Sequence, residues 1–102
     1  MDMYKVRNMA VTVASPIKKI IVYNAQGEQG SIELTQETLE FKGIKNVSIK
    51  KSYVDAITKI ADKALGKCDC EITYYDMFGG KEKIAVMMNE NDYKILRRVC
   101  GK

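Results

Sequence analysis

Ser52-Tyr53-Val54-Asp55-Ala56-Ile57-Thr58-Lys59-Ile60-Ala61-Asp62-Lys63-Ala64-Leu65 is the stretch whose conformation decides the fold. Tyr53, Ile57, Ile60, Ala61, Ala64 and Leu65 share one face at the helical period. Ser52 and Asp55 have the spacing of a capping box, and Gly66 stands where a helix C-cap would. Local propensity therefore predicts a helix of about three turns.

The flanking sequence reads mainly as strand. Lys18 to Tyr23 is rich in β-branched residues and is closed by residues 25–30, with Gly27 and Gly30 free to take positive φ. Ile32 with Leu34, Leu39 with Phe41, and Val47 with Ile49 each alternate with polar neighbours, which predicts a meander of short strands. Residues 69–88 predict a hairpin: Cys70, Ile72 and Tyr74 alternate with polar positions, Gly79-Gly80 makes the loop, and Ile84 to Met88 returns. Asn89 or Asn91 can cap a last helix with Ile95, Leu96, Val99 and Cys100 inward and Lys94, Arg97 and Arg98 outward. A weaker strand pattern, Val6, Met9, Val11 and Val13, stops at Ser15-Pro16, so residues 1–16 read as an N-terminal extension or an extra strand.

At 102 residues, 46% hydrophobic and 29% charged, the chain has the size and composition of a single globular domain, 1–102. Most of the net charge of +4 lies in the first half, and a pI of 8.9 falls short of a dedicated nucleic-acid domain. Nucleic acid is not an expected partner. Three cysteines, Cys68, Cys70 and Cys100, lack the pattern of a secreted disulfide framework and fit a reducing compartment. The apolar stretch Met9 to Ala14 is too short for a signal-peptide core or a span, which predicts a cytoplasmic chain.

Histidine is absent, which removes the commonest general base and excludes serine-histidine and cysteine-histidine nucleophilic sites. A phosphate-binding loop ending at Gly66-Lys67 is ruled out by Ala61 and Cys68, which stand where Gly and Ser or Thr are needed. Three thiols without an imidazole fall short of a zinc site, so Cys68 and Cys70, two apart on a strand, read as core residues. A metal or thiol function there is the least favoured alternative. No enzyme activity and no cofactor are expected.

Several of these segments resemble pleckstrin-homology-like domains of the small bacterial and GRAM-related kind. Gly30-Ser31-Ile32-Glu33-Leu34-Thr35, then Leu39-Glu40-Phe41, resemble that family's second and third strands. Tyr53-Val54-Asp55-Ala56-Ile57 is similar to its short segment after the next strand. Ile72-Thr73-Tyr74-Tyr75-Asp76, Gly79-Gly80, Ile84-Ala85-Val86 and Asp92-Tyr93 with Leu96 resemble its last hairpin and terminal helix. The resemblance covers about residues 18 to 100 and implies an α+β fold. In it a bent, mainly antiparallel β-barrel or sandwich of about seven strands is capped by a C-terminal helix. It makes Ile57 to Leu65 mostly strand, against local propensity. We give the order of elements more weight, and keep as alternative an α+β sheet with a second helix at about 53–65.

In phosphoinositide-binding members of that family, basic residues beside the loop after the first strand hold the phosphates. Residues 25–31 carry Glu28 and no Lys or Arg here, so specific phosphoinositide binding is not expected. The expectation is a non-catalytic binding or scaffold module that meets a protein partner or a second copy of itself. Sheet edges and the surface near the last helix are the expected contacts. Peripheral attraction to anionic membranes is the alternative. The candidate contact residues are Lys42, Lys45, Lys50 and Lys51, the apolar pair Met77 and Phe78 at the Gly-Gly turn, and Lys94, Arg97 and Arg98 on the helix.

Overall fold

The computed structural model describes residues 17–102, so the strand pattern at residues 6–13 lies outside the described residues. Strands β1 (Lys18–Tyr23), β2 (Gln29–Leu34), β3 (Thr38–Lys42) and β4 (Val47–Lys50) form the predicted meander. A single 3-10 turn, Lys51–Tyr53, leads into β5 (Val54–Lys63), and a tight turn, Ala64–Gly66, into β6 (Lys67–Tyr75). Strand β7 (Lys81–Asn89) and helix α1 (Glu90–Val99) complete the chain. The result is α+β: among the described residues, one antiparallel seven-stranded sheet in the order β4-β3-β2-β1-β7-β6-β5, with β4 and β5 at its edges.

β1 and β7 share one register pair, Tyr23 with Met87, whereas β1 pairs with β2, and β6 with β7, along their whole lengths. The sheet is therefore two limbs, β1–β4 and β5–β7, joined at a narrow seam. Alternation sends Ile20, Val22, Ile32, Leu34, Leu39, Phe41 and Ile49 inward from one limb. Val54, Ile57, Cys68, Cys70, Ile72, Tyr74, Ile84, Val86 and Met88 come from the other, and all belong to one core. Helix α1 adds Tyr93 and Leu96. Asn89, rather than Asn91, is its cap: Asn89 Oδ1 accepts from the Asn91 N–H at 3.0 Å.

The second helix kept as an alternative at about 53–65 does not form: Val54–Lys63 are strand β5, as the order of elements implied, and a short turn stands at each end. A helix would need Ile60 and Leu65 buried together, yet they are 59% and 91% exposed. Only Val54 and Ile57 of the strand reach the core. Pairing with β6 from Val54↔Tyr74 to Lys63↔Lys67 satisfies the backbone, and that ladder outweighs a propensity difference of a few tenths of a kcal/mol per residue. Ser52 and Asp55 form no capping box, because the turn before β5 starts from Lys50 without a side-chain cap. Asp55 instead pairs with Lys81 at 3.1 Å. Gly66 is no C-cap either. Leu65 (φ 61°, ψ 36°) and Gly66 (φ 72°) are the two left-handed residues of a hairpin turn closed by the Lys67 N–H donating to the Ala64 carbonyl.

The β5 ladder slips twice, leaving Asp55 and Ile60 as extra residues that oppose nothing on β6. A second tight feature lies in the first limb, where Gly30 and Gly43 meet backbone to backbone. A Cβ on Gly30 would stand 2.7 Å from the Lys42 carbonyl oxygen and 2.9 Å from the Ile44 nitrogen. Gly30→Ala is expected to cost about 2 kcal/mol, read as a lower urea midpoint, because the β2–β3 pair must part to admit the methyl. An unchanged midpoint would show that the two strands are less closely apposed there.

Candidate functional site

The β6–β7 turn is built around one carboxylate. Asp76 Oδ1 accepts from the Phe78 N–H (2.9 Å) and the Gly80 N–H (2.8 Å), the Gly79 N–H donates to the Asp76 carbonyl (3.0 Å), and the Asp76 N–H donates to that of Gly80 (2.8 Å). Gly79 sits at φ 81°, where a side chain would be strained. This network fixes the turn and leaves Met77 81% and Phe78 89% exposed. Two large apolar side chains are thus held out in water by a turn whose polar groups are bonded to one another.

The register sets Tyr75 beside this turn and Tyr53 just ahead of Val54, the partner of Tyr74, so both exposed tyrosines lie at the same end of the sheet. Each carries an ammonium near its ring: Lys81 over Tyr75 and Lys50 over Tyr53, both at 5.9 Å. Asp55 accepts from Lys81 and holds that ammonium more firmly protonated than usual. This end of the sheet therefore combines the exposed Met77 and Phe78 with two half-exposed tyrosines and the lysines beside their rings.

The remaining candidate residues do not gather into one patch. Lys42 and Lys50 lie at opposite ends of the β3–β4 ladder, and Lys42 pairs with Glu33 at 3.1 Å. Lys45 stands over the Tyr74 ring at 5.9 Å. Lys51 is a brace, since its N–H donates to the Glu37 carbonyl (2.8 Å) and its Nζ to the Gln36 carbonyl (3.0 Å). On α1, Lys94, Arg97 and Arg98 are exposed as expected, and Arg97 donates to the Lys102 carbonyl at 2.7 Å.

Cys68 and Cys70 point inward with Ile72 and Tyr74. Burial, with Cys68 and Asp69 adding to it, pushes the Cys70 thiol up to about 12; burial also raises Cys68 and Cys100. Thiols so shifted stay protonated at neutral pH and are poor nucleophiles. Among the described residues no three His, Cys, Asp or Glu converge as a metal-ligand group. Lys59 ties β5 to the helix start, with Nζ 2.8 Å from Glu90 and 3.0 Å from Asp62.

A groove of about 610 Å³ lies on the outer face between the β1–β2 turn and the β5–β6 hairpin. Tyr23 lines it together with Ile60, Lys63, Asp69, Ala85 and Met87. Sequence reading missed this groove and the exposed Leu65. Both follow from β5 being a strand, for which Leu65-Gly66 between two runs of strand was the available signal. Asp76 was legible as the residue three before the first glycine of a Gly-Gly turn, a place from which an Asx side chain organises a loop. No helix in the described residues is long and apolar enough to cross a membrane. No protein-family model matches the chain, and no curated protein is similar to it.

Proposed function

We propose that the chain is a non-catalytic, pleckstrin-homology-like binding module of the cytoplasm whose anchors are Met77 and Phe78, presented to a protein partner. The observation that carries this is the Asp76 turn, which holds both side chains exposed without help from the core. Preorganised apolar side chains are what a docking anchor needs, because little freedom is lost on binding. The strand order, the two limbs around one core and the terminal helix support the pleckstrin-homology-like reading. Strand addition at an edge is the lesser route, since β4 is short and the ladder of β5 is broken at Asp55 and Ile60.

Full burial of Met and Phe is worth ~1.5–3 kcal/mol each, so Met77→Ser with Phe78→Ser is expected to weaken association by about 100-fold or more. Folding should be unchanged, because both side chains are solvent-exposed. A photo-crosslinking residue at position 78, expressed in the native host, should give a discrete protein adduct absent when the probe is at Gln26. Equal labelling at both positions would overturn the proposal. A second reading is favoured by the lysine and tyrosine pairs at the base of the turn, which suit an anionic lipid interface at ~1 kcal/mol per basic residue. It requires flotation with phosphatidylserine vesicles that falls with salt and with Lys50→Glu.

A further inference from the structure

We infer that Met77 is a modification site at which a peroxide switches the apolar tip of the β6–β7 turn off, by converting the thioether to its sulfoxide. This rests on the reading of Met77 and Phe78 as docking anchors and adds a means of control to it. Met77 stands out in water, whereas Met88 is fully buried and Met87 half-buried, so of these three it is the one whose sulfur a small oxidant reaches first. Thiols ordinarily take a peroxide ahead of thioethers, because a thiolate is the stronger nucleophile. Here the thiols are withheld. Cys68 and Cys70 are closed inside the core, Cys100 is half-buried at the end of α1, and burial keeps all three protonated at neutral pH.

The step needs only hydrogen peroxide as co-reactant. A sulfur lone pair takes one oxygen: the O–O bond breaks, an S–O bond forms, and the departing hydroxide collects the proton left on the transferred oxygen and leaves as water. Sulfur loses two electrons and the peroxide gains them. The reverse step is thiol-dependent: two thiols become one disulfide, the thioether returns, and the oxygen leaves as water.

The geometry directs the effect to association and away from folding. The hydrogen bonds that fix the turn run among Asp76, Phe78, Gly79 and Gly80, and none of them uses the Met77 side chain. In the free chain the sulfoxide oxygen stays hydrated and disturbs nothing. In an apolar contact it must give up that water, and this desolvation adds to the lost burial of the methionine. Methionine's share of the anchor is about tenfold, so the oxidised chain should associate at least tenfold more weakly.

Stepwise hydrogen peroxide on the purified full chain, followed by peptide mass mapping, gives the first readout. Met77 should be oxidised before Met87, Met88 and the three thiols, with the urea midpoint unchanged. The second readout uses the chain carrying the photo-crosslinking residue at position 78, mixed with a native-host lysate depleted of small thiols. Oxidation should lower the protein adduct at least tenfold, and prior treatment with both methionine sulfoxide reductases, one for each epimer, should restore it. Met77→Leu, judged against its own untreated yield, should not respond to peroxide. A thiol, Met87 or Met88 reacting ahead of Met77, or a urea midpoint that falls with Met77 oxidation, would overturn the inference. So would an adduct that survives full oxidation of Met77, or one lost equally in Met77→Leu; each of these leaves the anchors in place. An adduct at position 78 no greater than at Gln26 before any peroxide is added overturns the anchor reading itself, and the switch with it.

Discussion

Truncating Leu96 to alanine is expected to lower the folding free energy by about 3–4 kcal/mol, the upper part of the range for buried leucines. Leu96 is fully buried, and it and Tyr93 are the only residues of α1 in the core itself. The helix is 10 residues long, too short to persist in water on its own, so it stays folded because these two side chains are docked in the shared core. Losing one leaves a cavity and loosens the whole helix. For a domain of this size, total stability is on the order of 5–15 kcal/mol, so the variant should be visibly closer to unfolding. Urea denaturation followed by circular dichroism reads it directly. Ile95→Ala, at a half-buried position, is the control and should cost less than half as much. Equal losses would mean that the helix is rotated from the orientation described.

The second large effect is a dependence on alkaline pH. Cys70 has its thiol pushed from 9.0 to about 12, chiefly by burial, so the folded state keeps a proton that the unfolded state gives up. The folded value lies above the unfolded one. The thiol's contribution is therefore whole below pH 9 and is lost as pH rises toward 12, at about 1.4 kcal/mol per pH unit. Cys68 shifts the same way through burial. Lys59, held charged first by Glu90 and then by Asp62, also loses its contribution with rising pH, from a higher starting point. Between pH 8 and pH 11 the wild type should lose about 2–3 kcal/mol more than Cys70→Ala, measured as urea midpoints at the two pH values. Parallel slopes would show that the thiol is reached by water.

Much of the fold was legible because a strand with one buried face writes its period into the sequence. Ile32 with Leu34, Leu39 with Phe41, and Cys70, Ile72 and Tyr74 all lie in the core as alternation predicts. Residues 53–65 misled local reading for a physical reason. Ile60, Ala61, Ala64 and Leu65 look like the apolar stripe of a helix, yet they are exposed residues of a slipped strand and its turn. Nothing local distinguishes an apolar residue kept for the core from one left on a surface. The candidate site was legible only in part for a related reason. The lysines at 42, 45, 50 and 51 are neighbours in sequence, but a hairpin carries Lys42 and Lys50 to opposite ends of its ladder. Met77 and Phe78 were visible because a Gly-Gly turn offers large side chains little to pack against.

The two slips in β5 also bear on how the protein behaves when crowded. Ten residues of regular strand at the margin of a sheet would be a template on which further chains could add without end. Each unmatched residue, Asp55 and Ile60, bends the strand and breaks the row of backbone groups, so no long uninterrupted run faces outward. The opposite margin, β4, is only four residues long and ends in Lys50. Open-ended fibre growth is thereby discouraged at both margins.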